Sequence, residues 1–111
     1  MENKRLQKID RLLQKELGEM FLLQTKAMPG ILISVSEVRV SADLGIAKAY
    51  LSIFPSERGK EIIKAIIENT RAIRFELGQR VRLQLRKIPE LQFYLDESLD
   101  YLENIDKLLK S

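Results

Sequence analysis

The chain has 111 residues, 45% hydrophobic and 32% charged, which is enough for one folded domain and too few for two. It contains neither cysteine nor histidine. That excludes a disulfide framework and thiolate metal sites, and it removes the commonest general base and metal ligand. The net charge of +3 is unevenly spread: residues 96–111 carry five acids against two lysines, so the remainder of the chain carries +6. A basic body with an acidic end points to a polyanionic partner approached from one side.

Apolar runs such as Ile31-Leu32-Ile33 are far too short to cross a bilayer. The start, Met1-Glu2-Asn3-Lys4-Arg5, leads into a charged amphipathic pattern without the apolar block of a signal peptide. A cytoplasmic protein with no membrane partner is therefore expected.

From residue 3 to about 23 the pattern is helical. Leu6, Ile9, Leu13, Leu17 and Met20 recur at three- and four-residue spacing, as a core-facing stripe requires. Met28-Pro29-Gly30 breaks it. Ile31, Ile33 and Val35 then alternate as a strand, and Val38 and Val40 resume on the other parity, so a β-bulge is expected at Ser36-Glu37. Ala47, Ala49, Leu51 and Ile53 alternate in a second strand. The short Ala42-Asp43-Leu44-Gly45 link predicts an antiparallel hairpin, with the Asp43 carboxylate accepting backbone N–H bonds.

Pro55-Ser56-Glu57 opens the next helix, with Ser56 as N-cap and Glu57 and Glu61 near its positive end. Its apolar face is Ile62, Ile63, Ile66 and Ile67. The stripe shifts register at Asn69-Thr70, two weak helix formers, which predicts a kinked helix pair. The second helix is expected to run through Ile73, Leu77 and Val81 to about Ile88, where Pro89 stops it. Leu91, Phe93 and Leu95 alternate as a third strand, and Ser98 caps a last helix with Leu99, Leu102, Ile105 and Leu109 inside. The order is αββααβα, a single α+β domain over residues 1–111.

At about 100° per residue, Lys4, Lys8, Arg11 and Lys15 fall in one arc of the first helix, opposite its apolar stripe, with Arg5 beside them. On the helix expected over 70–87, Arg71, Arg74, Arg82 and Arg86 share one face, and Arg80 and Lys87 flank the apolar stripe. This helix carries six basic residues and one acid, Glu76. A merely solvated helix would mix signs to gain i,i+4 pairs, and arginine, unlike lysine, makes forked phosphate contacts and stacks on bases. The first helix is more diluted, by Asp10, Glu16 and Glu19. Arg39 and Lys48 on the strands could widen the footprint. Tyr50, Phe93 and Tyr94 could stack on bases or pack in the sheet. Gly45, Gly59 and Gly78 form no phosphate-cradling spacing. Asp96, Glu97 and Asp100 are better explained by a helix N-terminus than by a divalent cation, so neither a metal nor a cofactor is expected.

Two segments carry a resemblance. Glu37-Val38-Arg39-Val40-Ser41-Ala42-Asp43-Leu44-Gly45-Ile46-Ala47-Lys48-Ala49-Tyr50-Leu51-Ser52 resembles the strand-turn-strand signature of the ribosome-binding factor A family, and so does Arg86-Lys87-Ile88-Pro89-Glu90-Leu91-Gln92-Phe93-Tyr94-Leu95-Asp96-Glu97-Ser98. Gln14-Lys15-Glu16-Leu17 and the run from Ile73 to Arg82 are similar as well. The resemblance implies a KH-like fold of the second type, a three-stranded sheet packed with helices. It also implies a monomeric, non-catalytic factor that binds the small ribosomal subunit and its ribosomal RNA late in assembly and aids maturation of the RNA 5′ end. KH domains clamp RNA with a Gly-x-x-Gly loop. The family has an alanine-x-glycine kink instead, and here Asn69-Thr70-Arg71 stands in that place, with Asn69 able to take unusual backbone angles. Two rival readings stand beside this one: a generic KH-like binder of single-stranded RNA or DNA, and a module whose basic stripe meets an acidic protein. An enzyme using carboxylates alone would lack every usual helper.

Overall fold

The computed structural model describes residues 4–96. Helix α1, Lys4–Thr25, is followed by strands β1, Leu32–Val40, and β2, Ile46–Phe54. A single 3-10 turn, Ser56–Arg58, leads into α2, Gly59–Glu68, then α3, Thr70–Val81, and β3, Glu90–Leu95. The final helix expected behind Ser98 lies outside the described residues. The sheet order is β1-β2-β3, with β1 antiparallel and β3 parallel to β2.

Alternation sets which face of the sheet is dry. Ile33, Val35 and Val38 of β1, Ala47, Ala49, Leu51 and Ile53 of β2, and Leu91 and Phe93 of β3 form one core with the apolar faces of all three helices. Leu13 and Leu17 of α1 and Leu77 and Val81 of α3 are fully buried there. Phe21 meets Phe93 edge to face, ring centroids 6.1 Å apart. The opposite face keeps Arg39, Lys48 and Tyr94 in solvent.

The bulge is at Ser36: Val35 pairs with Leu51 and Glu37 with Tyr50, leaving Ser36 unmatched. Gln14 of α1 meets the extra residue, its Nε2 donating to the carbonyls of Val35 at 3.1 Å and Ser36 at 3.3 Å. Asp10 accepts the Val40 N–H at 2.9 Å. Two polar side chains of α1 thus satisfy backbone groups of the edge strand that the neighbouring strand cannot reach. In the hairpin turn, Asp43 Oδ1 accepts from Gly45 N at 3.0 Å and from the Ser41 hydroxyl at 2.7 Å. The residue with positive φ is Leu44, at 60°, not its glycine neighbour.

Two expectations about helix ends need correction. Ser56 caps nothing: it sits inside the 3-10 turn, and α2 begins after Arg58 with no side-chain cap. More consequentially, α3 ends at Val81 rather than near Ile88. Glu90 must pair beside Ile46, and its N–H donates to Gly45 O at 2.9 Å. Seven more helical residues would carry the chain about 10 Å further along the helix axis, away from that register. The chain instead turns, with Gln84 and Leu85 N–H groups both on Val81 O, and Pro89 keeps Ile88 extended.

The kink between α2 and α3 is present, but Asn69 is not left-handed. Its φ and ψ are −100° and 13°, a bridge conformation open to any residue. Its N–H closes α2 on Ala65 and Ile66 carbonyls, and its carbonyl accepts from Ile73 N to start α3. Thr70 Oγ1 donates to Ile67 O at 2.7 Å, so the hydroxyl covers a carbonyl that the bend exposes.

Candidate nucleic-acid interface

The early end of α3 separates the arginines that sequence periodicity places on one helix. Arg71 and Arg74 remain on α3, Arg82 is its C-cap, and Arg86 and Lys87 belong to the loop before β3. The loop folds back, however, and brings most of them together again. Arg71, Arg74, Arg86 and Lys87 line a groove of about 510 Å³ together with Phe75, Gly78, Gln79 and Ile88. Arg86 and Lys87 also border a second depression with Gln84, Leu85 and Arg5, and Arg5 borders a third with Lys8 of α1. Lys8 shares its arc with the exposed Lys4, Arg11 and Lys15. Cations from the two termini of the described chain thus form one strip.

Individual roles differ within it. Arg74 is committed to the fold: its Nε donates to Pro89 O at 3.1 Å and its NH2 group to Ile88 O at 2.6 Å. It therefore fastens the groove's loop to α3, with guanidinium N–H groups to spare. Arg80 turns inward, 3.4 Å from both Glu16 and Glu19 of α1, and joins two helices rather than facing a ligand. The acids that dilute the charge of α1 in sequence are partly consumed by this pair. Arg82 is exposed at the helix end and lines none of these depressions.

Arg39 and Lys48 sit opposite each other in register on the open sheet face, apart from the strip. Arg39 is held by Glu37 at 2.8 Å, whose hydrogen bond and charge raise its already high pKa. Of the aromatics, Phe93 is core, and Tyr50 and Tyr94 stack on each other at 5.5 Å. Asp96 is occupied by the Ser36 hydroxyl, 2.6 Å away. Among the described residues no cluster of acids is placed to hold a metal, and no helix is long and apolar enough to cross a membrane.

A profile of the family described as ribosome-binding factor A matches residues 5–109. The chain belongs to the ribosome-binding factor A family. Ribosome-binding factor A of Christiangramia forsetii is 52% identical over 111 residues, covering 98% of this chain and 85% of that protein. The Flavobacterium psychrophilum protein is 47% identical with the same coverage. The crystal structure of ribosome-binding factor A from Thermus thermophilus superposes with a TM-score of 0.66 at 25% identity, covering 81% of this chain and 94% of that one. A homology model of the Thermus thermophilus protein, fitted into a cryo-EM map of its 30S complex, gives 0.62 at 28% identity over 78% of this chain and 89% of that one.

Sequence reasoning missed one residue of the strip in this member of the ribosome-binding factor A family. Phe75 is 70% exposed and lines the groove with the cations. Its angular position, about 40° from Arg71 at 100° per residue, sets it on the charged face and not the apolar stripe. That was a legible signal.

Proposed function

We propose that this chain is a non-catalytic assembly factor that binds the small ribosomal subunit, as a monomer and in the cytoplasm, by laying its basic strip along ribosomal RNA. The observation that carries the reading is that Arg71, Arg86, Lys87, Arg5 and Lys8 line three depressions joined by shared residues. Family membership supports it, as does the 30S complex of the Thermus thermophilus relative. Phosphates would be met by Arg71, Arg86, Lys87, Arg5 and Lys8, with Arg74 placing the loop and Lys4, Arg11 and Lys15 extending the track. Arg39, Lys48, Arg80 and Arg82 are secondary in this reading. The whole chain acts as one RNA-binding domain, and its cellular role is late maturation of the subunit, including the 5′ end of its RNA.

The test is sedimentation of tagged protein through a gradient of cell lysate, followed by binding to purified subunits over a salt series. Co-migration with free small subunits is expected, with affinity falling steeply as salt rises because neutralised phosphates release counterions. Reversing Arg71, Arg86 and Lys87 to glutamate should abolish co-migration. Protein that stays at the top of the gradient, or affinity indifferent to salt, would refute the proposal.

A further inference from the structure

We propose that Phe75 is a stacking platform for one unpaired RNA base, held in the groove between α3 and the loop before β3. The inference rests on the RNA-binding reading above and assigns to it a second kind of contact. Phe75 contributes nothing to the core: α3 buries Ile73, Leu77 and Val81, while Phe75 is 70% exposed and has no aromatic partner among the described residues. A large apolar ring in water is unfavourable by its area. This one has Arg74 beside it and Arg71 one turn before it, with Arg86 and Lys87 across the groove.

The shape fits a base. One turn after Phe75, Gly78 offers no side chain to cover the ring, and a Cβ there would lie 3.4 Å from Ile88. The groove therefore sets the apolar Phe75 and Ile88 among four cations. This is the combination that single-stranded nucleic acid uses, a π-face for the base and positive charge for the flanking phosphates. Duplex RNA would present only its backbone and sugar edges here. A nearby guanidinium such as that of Arg71 can also lie against the base.

Phe75→Ala, Phe75→Leu and Phe75→Trp test the assignment beside the triple Arg71, Arg86 and Lys87 reversal. Affinity for purified small subunits is measured at several salt concentrations, and melting temperature is recorded for each variant. Phe75→Ala should weaken binding roughly tenfold to hundredfold, the range of one base–aromatic stack, while the salt slope stays that of the parent. Phe75→Leu should be similarly weak, and Phe75→Trp should bind like the parent. The chain has no tryptophan, so the introduced indole also reports directly: a short oligoadenylate should quench its fluorescence. Unchanged affinity in Phe75→Ala overturns the proposal, and so does full binding by Phe75→Leu, which would mark an apolar protein contact. If the charge-reversed triple also binds normally, the RNA-binding reading itself fails. A Phe75→Ala loss beside a normal triple is a third, separate pattern, which would overturn the cationic rim.

Discussion

Arg74→Met removes both hydrogen bonds between α3 and the loop while keeping most of the side-chain stem. The two carbonyls it frees, on Ile88 and Pro89, lie at the start of β3 and beside the hairpin turn. A hydrogen bond to a charged donor contributes about 1.5–3 kcal/mol when well shielded. Arg74 is exposed and water can replace part of each bond, so the pair is worth about 1–3 kcal/mol in all. For a domain near this size that corresponds to a drop of roughly 5–15 °C in melting temperature. Thermal denaturation followed by circular dichroism measures it, with Arg82→Met as the control, since an exposed arginine with no partner among the described residues should stay within about 0.5 kcal/mol of the parent. If Arg74→Met melts no lower than Arg82→Met, the loop is not fastened by this side chain, and Arg74 returns to the pool of simple phosphate ligands. Arg74 is accordingly not among the residues whose charge reversal should abolish binding.

Three further outcomes can be checked on the same instrument. Gln14→Leu should lower stability by about 1–2 kcal/mol, because the bulge carbonyls of Val35 and Ser36 lose their donor; an unchanged melting temperature would show that water serves them equally well. Asn69→Gly should destabilise by roughly 0.5 kcal/mol, since φ of −100° gives glycine no advantage and the unfolded chain gains freedom; a stabilised variant would contradict the bridge conformation. The Asp43 carboxyl is held below its ordinary pKa by the Ser41 hydroxyl and then by the Gly45 N–H. Its contribution is therefore complete above about pH 3.9, the unfolded value, and is lost as pH falls through the lower folded value. Asp43→Asn should flatten the acid limb of the melting-temperature profile, and an unaltered acid limb would assign that limb to other carboxylates.

The elements whose periodicity is set by their own core contacts are legible in the sequence alone. The parity change from Val35 to Val38 located the bulge, and the offset between the Ile66 and Ile73 stripes located the bend at Asn69. The end of α3 was not legible, because the apolar residues Leu85 and Ile88 continue a helical spacing while serving a different element. What stops the helix is a distant requirement, that Glu90 reach Gly45. The site was partly legible for the same reason. Arg71, Arg86 and Lys87 do converge, but through a folded-back loop and not along a helix. The duties of Arg74 and Arg80 depend on partners fourteen or more residues away, beyond what a helical wheel can represent.

Parallel pairing of β3 has a consequence for when the groove exists during synthesis. Its walls come from Arg5 at one end of the described chain and from Arg86 and Lys87 near the other, with Leu44 of the hairpin between them. Pairing of Glu90–Leu95 with β2 is what holds Arg86 and Lys87 in place beside Arg5. A chain whose β3 has not yet paired carries the same cations without the groove that aligns them.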